Sequence, residues 1–253
     1  MKLDKTASFA LVCSVLFLGW WWMQPPVELA PEDMRFSNTQ DWDWTLTRHL
    51  PGSRSAEERA ITDAYVDAIE LAPPPANTSE ETAAELRTLH EYVALRDAAQ
   101  DDIMAEHEAF SSLRFGELRP WAGEHTRTRE LLDHALKEYA SVIFAFKERF
   151  DRVRPSYLDS TLDTVFAVPG HPAYPSGHAA QAHLIAGILS LLDPENREAY
   201  FADAARVARN REIAGVHYPS DSAAGAALAA QFLPLYLETE QGRQLLEAAR
   251  AEW

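Results

Sequence analysis

Cysteine is almost missing from this chain: Cys13 is the only one. No disulfide can form within one chain, and no cysteine-rich metal site can be built, so the fold must rest on its hydrophobic core. Basic charge is also scarce. Lysine and arginine total 23 against 39 aspartates and glutamates, for a formal net charge of −16. Such a surface repels nucleic-acid backbones and anionic headgroups at long range, which argues against nucleic acid as a partner. An anionic ligand would need a local basic cluster that overrides this field. Strand-like alternation, internal repeats and blocks of like charge are missing as well. No set of His, Asp and Glu has a metal-like spacing. Beyond residue 23 no segment is apolar enough to span a bilayer, so the chain does not read as polytopic.

What is present fits one domain with a tail. Apolar residues make up 47% of 253, enough for a sizeable core. At the N-terminus, Ala7 to Met23 is free of charge and follows Lys2 and Lys5. It ends in Trp20, Trp21 and Trp22, and acidic residues follow at Glu28, Glu32 and Asp33. This asymmetry fits an N-terminus held in the cytoplasm with the remainder exported, the tryptophans forming an interfacial belt. Residues 1–23 therefore read as a membrane anchor, with a cleaved signal peptide as the alternative. Val12 before Cys13 is not the small residue that a lipoprotein cleavage site wants.

Residues 24–54, rich in Pro, Trp and Asp, read as a linker, and residues 55–253 as a helical domain with its core at about 125–237. Ser55 with Glu58 predicts a capping box, and Pro73 to Pro75 stop the helix that follows. Thr78 with Glu81 predicts a second box, opening a long helical stretch to about Leu113. A loop is expected over residues 114–124, then a helix from about Thr128 to Phe150. Ser176 is expected to cap a helix to about Leu192, Pro194 to open one to about Ala214, and Pro219 to start one to about Leu237. A last amphipathic helix runs to Trp253. The fold class is all-α, a helical bundle.

Three segments carry chemistry. In Lys147-Glu-Arg-Phe-Asp-Arg-Val-Arg154-Pro155, two turns of helix would bring Lys147 and Arg154 to one face, with Pro155 turning the chain out. Alone, this could be a solvated basic helix end. In Pro175-Ser176-Gly177-His178, Ser176 is a good N-cap and Gly177 lets an anion approach the free N–H groups closely. Alone, it could be an ordinary capped helix with a surface histidine. In Arg211 to Asp221, His217 and Asp221 flank the helix start at Pro219, so that the carboxylate can orient one imidazole nitrogen and leave the other basic. Alone, it could be a structural His–Asp pair. Taken together, Lys147, Arg154 and Arg211 with a helix N-terminus and two histidines make a phosphate site.

The pattern K-x6-R-P, P-S-G-H and R-x5-H-x3-D resembles the three-part signature of the type 2 phosphatidic acid phosphatase superfamily. That superfamily includes bacterial class A non-specific acid phosphatases and is related to vanadium haloperoxidases. One position departs: the residue before Arg211 is Asn210, where serine is usual. The resemblance implies a metal-independent phosphatase without a cofactor, acting on a phosphorylated small molecule or lipid phosphate. It implies that His217 attacks phosphorus to give a phosphohistidine, with Asp221 fixing its tautomer. His178 protonates the leaving oxygen and then activates water. Lys147, Arg154, Ser176, Gly177 and Arg211 hold the non-bridging oxygens. A protonated His178 beside a neutral His217 implies an acidic to neutral optimum. A vanadium-dependent haloperoxidase and a non-catalytic phosphate-binding envelope protein are the alternatives.

The other histidines read as bland. His49, His90, His107, His125 and His134 are expected to be structural or exposed, and His183 to pack. His171 and Tyr174 are candidates for lining the pocket, whereas Phe144, Phe146 and Phe150 read as core. The lysine asymmetry yields a test of location. A reporter that works only outside the cytoplasm should be active when fused at the C-terminus, and one active only in the cytoplasm should be silent there.

Overall fold

The computed structural model describes residues 55–108, 113, 115–116, 118, 120 and 123–253. The expected anchor, the linker, His49 and part of the loop at 114–124 lie outside the described residues. Among the described residues no helix is long and apolar enough to cross a membrane, and the sole β feature is an isolated bridge between Phe115 and Leu118.

The helices are α1 (Ala56–Ala68), α2 (Glu80–Tyr92), α3 (Arg96–Glu108), α4 (Thr126–Phe150), the single turn α5 (Pro155–Leu158), α6 (Gly177–Leu192), α7 (Arg197–Ile213), α8 (Pro219–Glu238) and α9 (Glu240–Arg250). The all-α expectation holds. The Ser55–Glu58 capping box forms as read from the sequence. The second cap is one residue later than expected: Ser79 accepts from Thr82 N–H, while the Thr82 hydroxyl donates to Ala76 O. Over its described part, to Glu108, the expected long stretch is two helices, separated by a 3-10 turn at Val93–Leu95. That break lets α3 turn across the bundle and donate from Arg96 to Ile213 O (3.0 Å) and Asp163 O (2.6 Å).

Helix α6 is the axis of the bundle. Its sequence, GHAAQAHLIAGILSLL, is apolar nearly all round, as expected of a helix that is buried over most of its surface, although Leu191 is exposed. It packs chiefly on α7 and α8, and also on α4. Tyr139, Ile143 and Phe146 of α4, Leu184, Ile185 and Ile188 of α6, and Leu228 and Phe232 of α8 form the main core. Helix α9 closes the far end against α4.

Two glycines set how closely the functional segments approach. Gly215 has φ +78, a left-handed conformation, and a Cβ there would meet Asp163 O at 2.8 Å. This turn carries the chain from Arg211 to His217. Gly225 brings α8 onto the start of α6: a Cβ would lie 2.7 Å from Ser176 O and 2.8 Å from Ala180 N. Both obstacles are backbone, so no side chain can move aside. Gly225→Ala should therefore destabilise the fold by about 1–3 kcal/mol through overpacking. The check is the urea midpoint, and an unchanged midpoint would contradict the close approach.

Candidate active site

The first motif is shaped by a helix that ends early. Helix α4 stops at Phe150, where Asp151 adopts φ 45 and its N–H still reaches Lys147 O. Lys147 and Arg154 therefore do not share a helical face, as their spacing suggested. They meet because the chain reverses at Asp151 and Arg154 is extended (φ −69, ψ 151) ahead of Pro155. Lys147 and Arg154 are buried at 1% and 0% exposure. Lys147 Nζ donates to Pro172 O (2.8 Å), Ala173 O (3.2 Å) and Pro175 O (2.7 Å). An ammonium has three N–H groups, so all of them tie down the loop ahead of α6.

Arg154 faces the third motif. Its Nη1 donates to Val216 O (2.7 Å) and to His217 Nε2 (3.0 Å), and its Nε donates to His171 O (3.0 Å). A guanidinium has no acceptor, so Nε2 of His217 must bear the lone pair. The hydrogen is then on Nδ1, which lies 3.1 Å from Asp221 Oδ2 and donates to it. Asp221 Oδ2 also accepts from Tyr218 N–H (3.0 Å), and Oδ1 accepts from Arg152 Nη1 (2.6 Å). The second motif is bound to the third through the backbone, as Ser176 N–H donates to Asp221 O (2.9 Å). The Ser176 hydroxyl accepts from Ala179 N–H as the N-cap of α6.

These segments enclose a cavity of about 550 Å³ lined by Lys147, Arg154, Gly177, His178, Arg211 and His217, among others. Ser176 and Asp221 are fully buried outside its lining. The rest of the wall includes Asp133, Leu136, Lys137, Ala140, Ile143 and Phe144 of α4. These positions recur at helical spacing, so the cavity follows one face of α4 from Asp133 to Lys147, roughly 21 Å at about 1.5 Å per residue. His171 lines the cavity as anticipated, whereas Tyr174 is buried and donates from its hydroxyl to Ala72 O. Phe144, read as core, is half-buried and lines the cavity, its ring edge-on to His171 at 5.3 Å. His107 is exposed as expected but also borders the cavity, stacked on Phe166 at 3.9 Å.

Arg211 is the cation with capacity to spare. It is 2% exposed, and Nε and Nη1 meet no hydrogen-bond partner among the described residues. Asn210 beside it donates to Glu106 Oε1 (3.0 Å).

Residues 133–244 match the model of the PAP2 superfamily. This part of the chain is similar to the PAP2 superfamily. The match contains Lys147, Arg154, the Ser176–His178 segment, Arg211, His217 and Asp221. Lipid A 1-phosphatase from Rhizobium johnstonii (strain DSM 114642 / LMG 32736 / 3841) is 34% identical over 90 residues, covering 34% of this chain and 37% of that protein. Lipid A 1-phosphatase from Rhizobium etli (strain ATCC 51251 / DSM 11541 / JCM 21823 / NBRC 15573 / CFN 42) is 31% identical over 104 residues, covering 37% of this chain and 45% of that protein. The chain thus matches less than half the length of these curated relatives. Among solved structures, a bacterial vanadium-dependent iodoperoxidase superposes with TM-score 0.50 at 15% identity, over 85% of this chain and 63% of that one. That likeness is one of fold.

Three residues of the matched stretch and its surroundings escaped the sequence reading. Arg152, inside the first motif, is fully buried and also pairs with Glu85 (2.9 Å). Its signal was visible as a second arginine two before Arg154, but it read as part of a basic turn. Glu85 on α2 and Glu106 on α3 had no local signal, because only the folded chain brings them to the motifs.

Burial and the neighbouring cations shape the electrostatics. His217 is held well below its ordinary pKa by burial and then by Arg154, Lys147, Arg211 and His178. His178 is pushed down likewise, by burial first and Arg211 next, so the expected protonated His178 does not hold for the free site. Arg154 is lowered to about 9 and Arg211 to about 10, both mainly by burial. Among the described residues no group of three His, Cys, Asp and Glu stands where it could hold a metal ion.

The sign of the linkage follows. Folded-state values below the ordinary histidine value near 6.5 mean that the unfolded chain takes up more protons in acid. Stability should be full above about pH 6.5 and fall below it, by up to about 1.4 kcal/mol per pH unit for each histidine kept neutral. Urea midpoints at pH 7.5, 6.5 and 5.5 should show this fall, with a shallower one in His178→Asn and partial restoration by phosphate. A flat profile would remove the basis for it.

Proposed function

We propose that the chain is a phosphatase that hydrolyses phosphate monoesters through a phosphohistidine on His217, with no metal taking part. The observation that carries this reading is Arg211. Two buried guanidinium nitrogens without partners, Nε and Nη1, lie beside a histidine whose Nε2 carries the lone pair. Buried donors left unmade are costly, and an oxyanion supplies acceptors together with the negative charge the cluster lacks.

In the first step the His217 Nε2 lone pair forms a bond to phosphorus as the bond to the leaving oxygen breaks, and His178 gives that oxygen a proton. In the second step His178 takes a proton from water, the water oxygen bonds to phosphorus, the N–P bond breaks, and inorganic phosphate leaves. Asp221 holds Nδ1–H throughout and balances the imidazolium character of the intermediate. Arg154, Arg211 and the start of α6 at Gly177 face the non-bridging oxygens. The dianion itself raises His178 toward protonation, which accounts for an acidic to neutral optimum although the free histidine is neutral.

The favoured substrate class is a lipid phosphate. The cavity continues from the cationic set along Ala140, Ile143, Phe144 and Leu136, an apolar wall suited to a hydrocarbon stem. The lipid A phosphatases similar to this domain accord with that choice, as would the expected anchor at residues 7–23 with the domain outside the cytoplasm.

An assay over lipid phosphates, alkyl phosphates and nitrophenyl phosphate tests the reading, with EDTA throughout and a vanadate-plus-halide peroxidase control. His217→Ala should lose on the order of a thousandfold or more on every ester, with no labelled protein trapped in acid quench. His178→Ala should lose far more on alkyl than on nitrophenyl phosphate, since a poor leaving group needs the acid most, and should accumulate phosphoenzyme. Label accumulating in His217→Ala instead would reverse the two roles. Activity abolished by EDTA and restored by zinc or magnesium would end the metal-free scheme, and halide oxidation would favour the haloperoxidase alternative.

A further inference from the structure

We propose that Glu85 and Arg152 are positioning residues: they fix the Asp221 carboxylate so that it holds His217 in the tautomer with Nε2 free of hydrogen. This rests on the phosphohistidine reading above and adds two residues to which that reading gives no role: Arg152 lies within the first motif, and Glu85 lies outside the family match altogether.

The geometry is a closed ring of buried and half-buried polar contacts. Arg152 Nη1 donates to Asp221 Oδ1 (2.6 Å) and to Ser220 Oγ (2.6 Å), and Nη2 donates to Glu85 Oε2 (2.9 Å). Glu85 Oε1 accepts from Ser220 N–H (2.6 Å). Glu85 therefore grips both the arginine and the first turn of α8, the turn that carries Asp221. The Arg152 guanidinium also lies over the Tyr218 ring, 3.9 Å from its centroid, which leaves it little room to swing. Arg152 and Asp221 are 0% exposed, and Glu85 is 8% exposed.

The ring matters because a carboxylate turns easily about its last torsion, which is broad and roughly two-fold. With Oδ1 held by Arg152, Oδ2 is the oxygen left for Tyr218 N–H and His217 Nδ1–H. A carboxylate buried this deeply also needs a countercharge to offset its desolvation. Arg152 supplies it, but an arginine alone would place one more cation beside His217, already faced by Arg154, Lys147 and Arg211. Glu85 offsets that. The trio of Glu85, Arg152 and Asp221 keeps one negative charge in excess, facing the nitrogen that becomes cationic when Nε2 binds phosphorus. Fold stability alone does not explain the arrangement, since buried ion pairs are weak stabilisers compared with well-packed apolar side chains.

The test uses the full chain labelled with ¹⁵N-histidine, as wild type, Glu85→Gln, Glu85→Asp and Arg152→Lys, with circular dichroism to establish folding. Wild-type His217 should show a single Nδ1–H tautomer, and Glu85→Gln and Arg152→Lys a mixture with Nε2–H. In those two variants kcat should fall about tenfold to a hundredfold while KM stays within about twofold, as expected of residues that act through another group. Glu85→Asp, which keeps the charge, should recover part of the loss. Folded variants with an unchanged tautomer and unchanged kcat would overturn the proposal. Should Arg152→Lys fail to fold, Glu85→Gln decides alone, because it keeps the side-chain shape while removing the charge and one of the two acceptors. The tautomer is read without turnover. A shifted tautomer in a chain that hydrolyses no ester would support the positioning role and sink the phosphatase reading, whereas an unshifted tautomer in an active enzyme would do the reverse.

Discussion

The Asp221 carboxylate is the contact on which the rest of the site is built. Its two oxygens receive Arg152, His217 Nδ1 and Tyr218 N–H, while its backbone carbonyl receives Ser176 N–H. One residue at the first turn of α8 thus joins all three motifs: the arginine-rich turn after α4, the N-cap of α6 and the histidine ahead of α8. Leaving a charge buried without a partner in such a network costs about 3–5 kcal/mol, so the three segments are held in mutual register by the same group that sets the histidine tautomer.

Around that anion the site is otherwise cationic, in a chain whose overall charge is −16. The contrast has a physical use. An acidic exterior discourages non-specific anions, while a buried set of Lys147, Arg154 and Arg211 favours an anion that fits. The cations divide the labour. Lys147 is fully engaged by loop carbonyls and gives the cavity charge and shape. Arg154 is engaged with His171, Val216 and His217. Arg211 alone of the three has buried donors without a partner among the described residues.

Much of this was legible in the sequence, and the reasons are local. Helices α6 and α8 announce themselves through Ser176 and Pro219, residues whose backbone preferences act within one turn. The motif residues were legible because their chemistry is unusual in a helical chain. What was not legible depends on distance along the chain. The reversal at Asp151, a non-glycine residue at positive φ, has no strong sequence signal, so Lys147 and Arg154 were given a common helical face they do not have. Phe144 looked like core because periodicity reports which face is apolar, not whether that face meets a neighbour or a cavity. Glu85 and Glu106 are ordinary acidic residues on ordinary helices until α8 and α7 arrive beside them.

The placement of those two glutamates bears on how this domain could be inherited or moved. The recognisable family stretch opens at Asp133, yet Arg152 is paired with a side chain from α2, and Asn210 is paired with one from α3. A fragment cut at the family boundary would retain every signature residue and still take Glu85 from Arg152 and Glu106 from Asn210. The transplantable unit is therefore larger than the recognisable one. Helices α2 and α3 would have to travel with the signature in any fusion or recombination event, and a host scaffold lacking them would have to offer carboxylates of its own at the same two points.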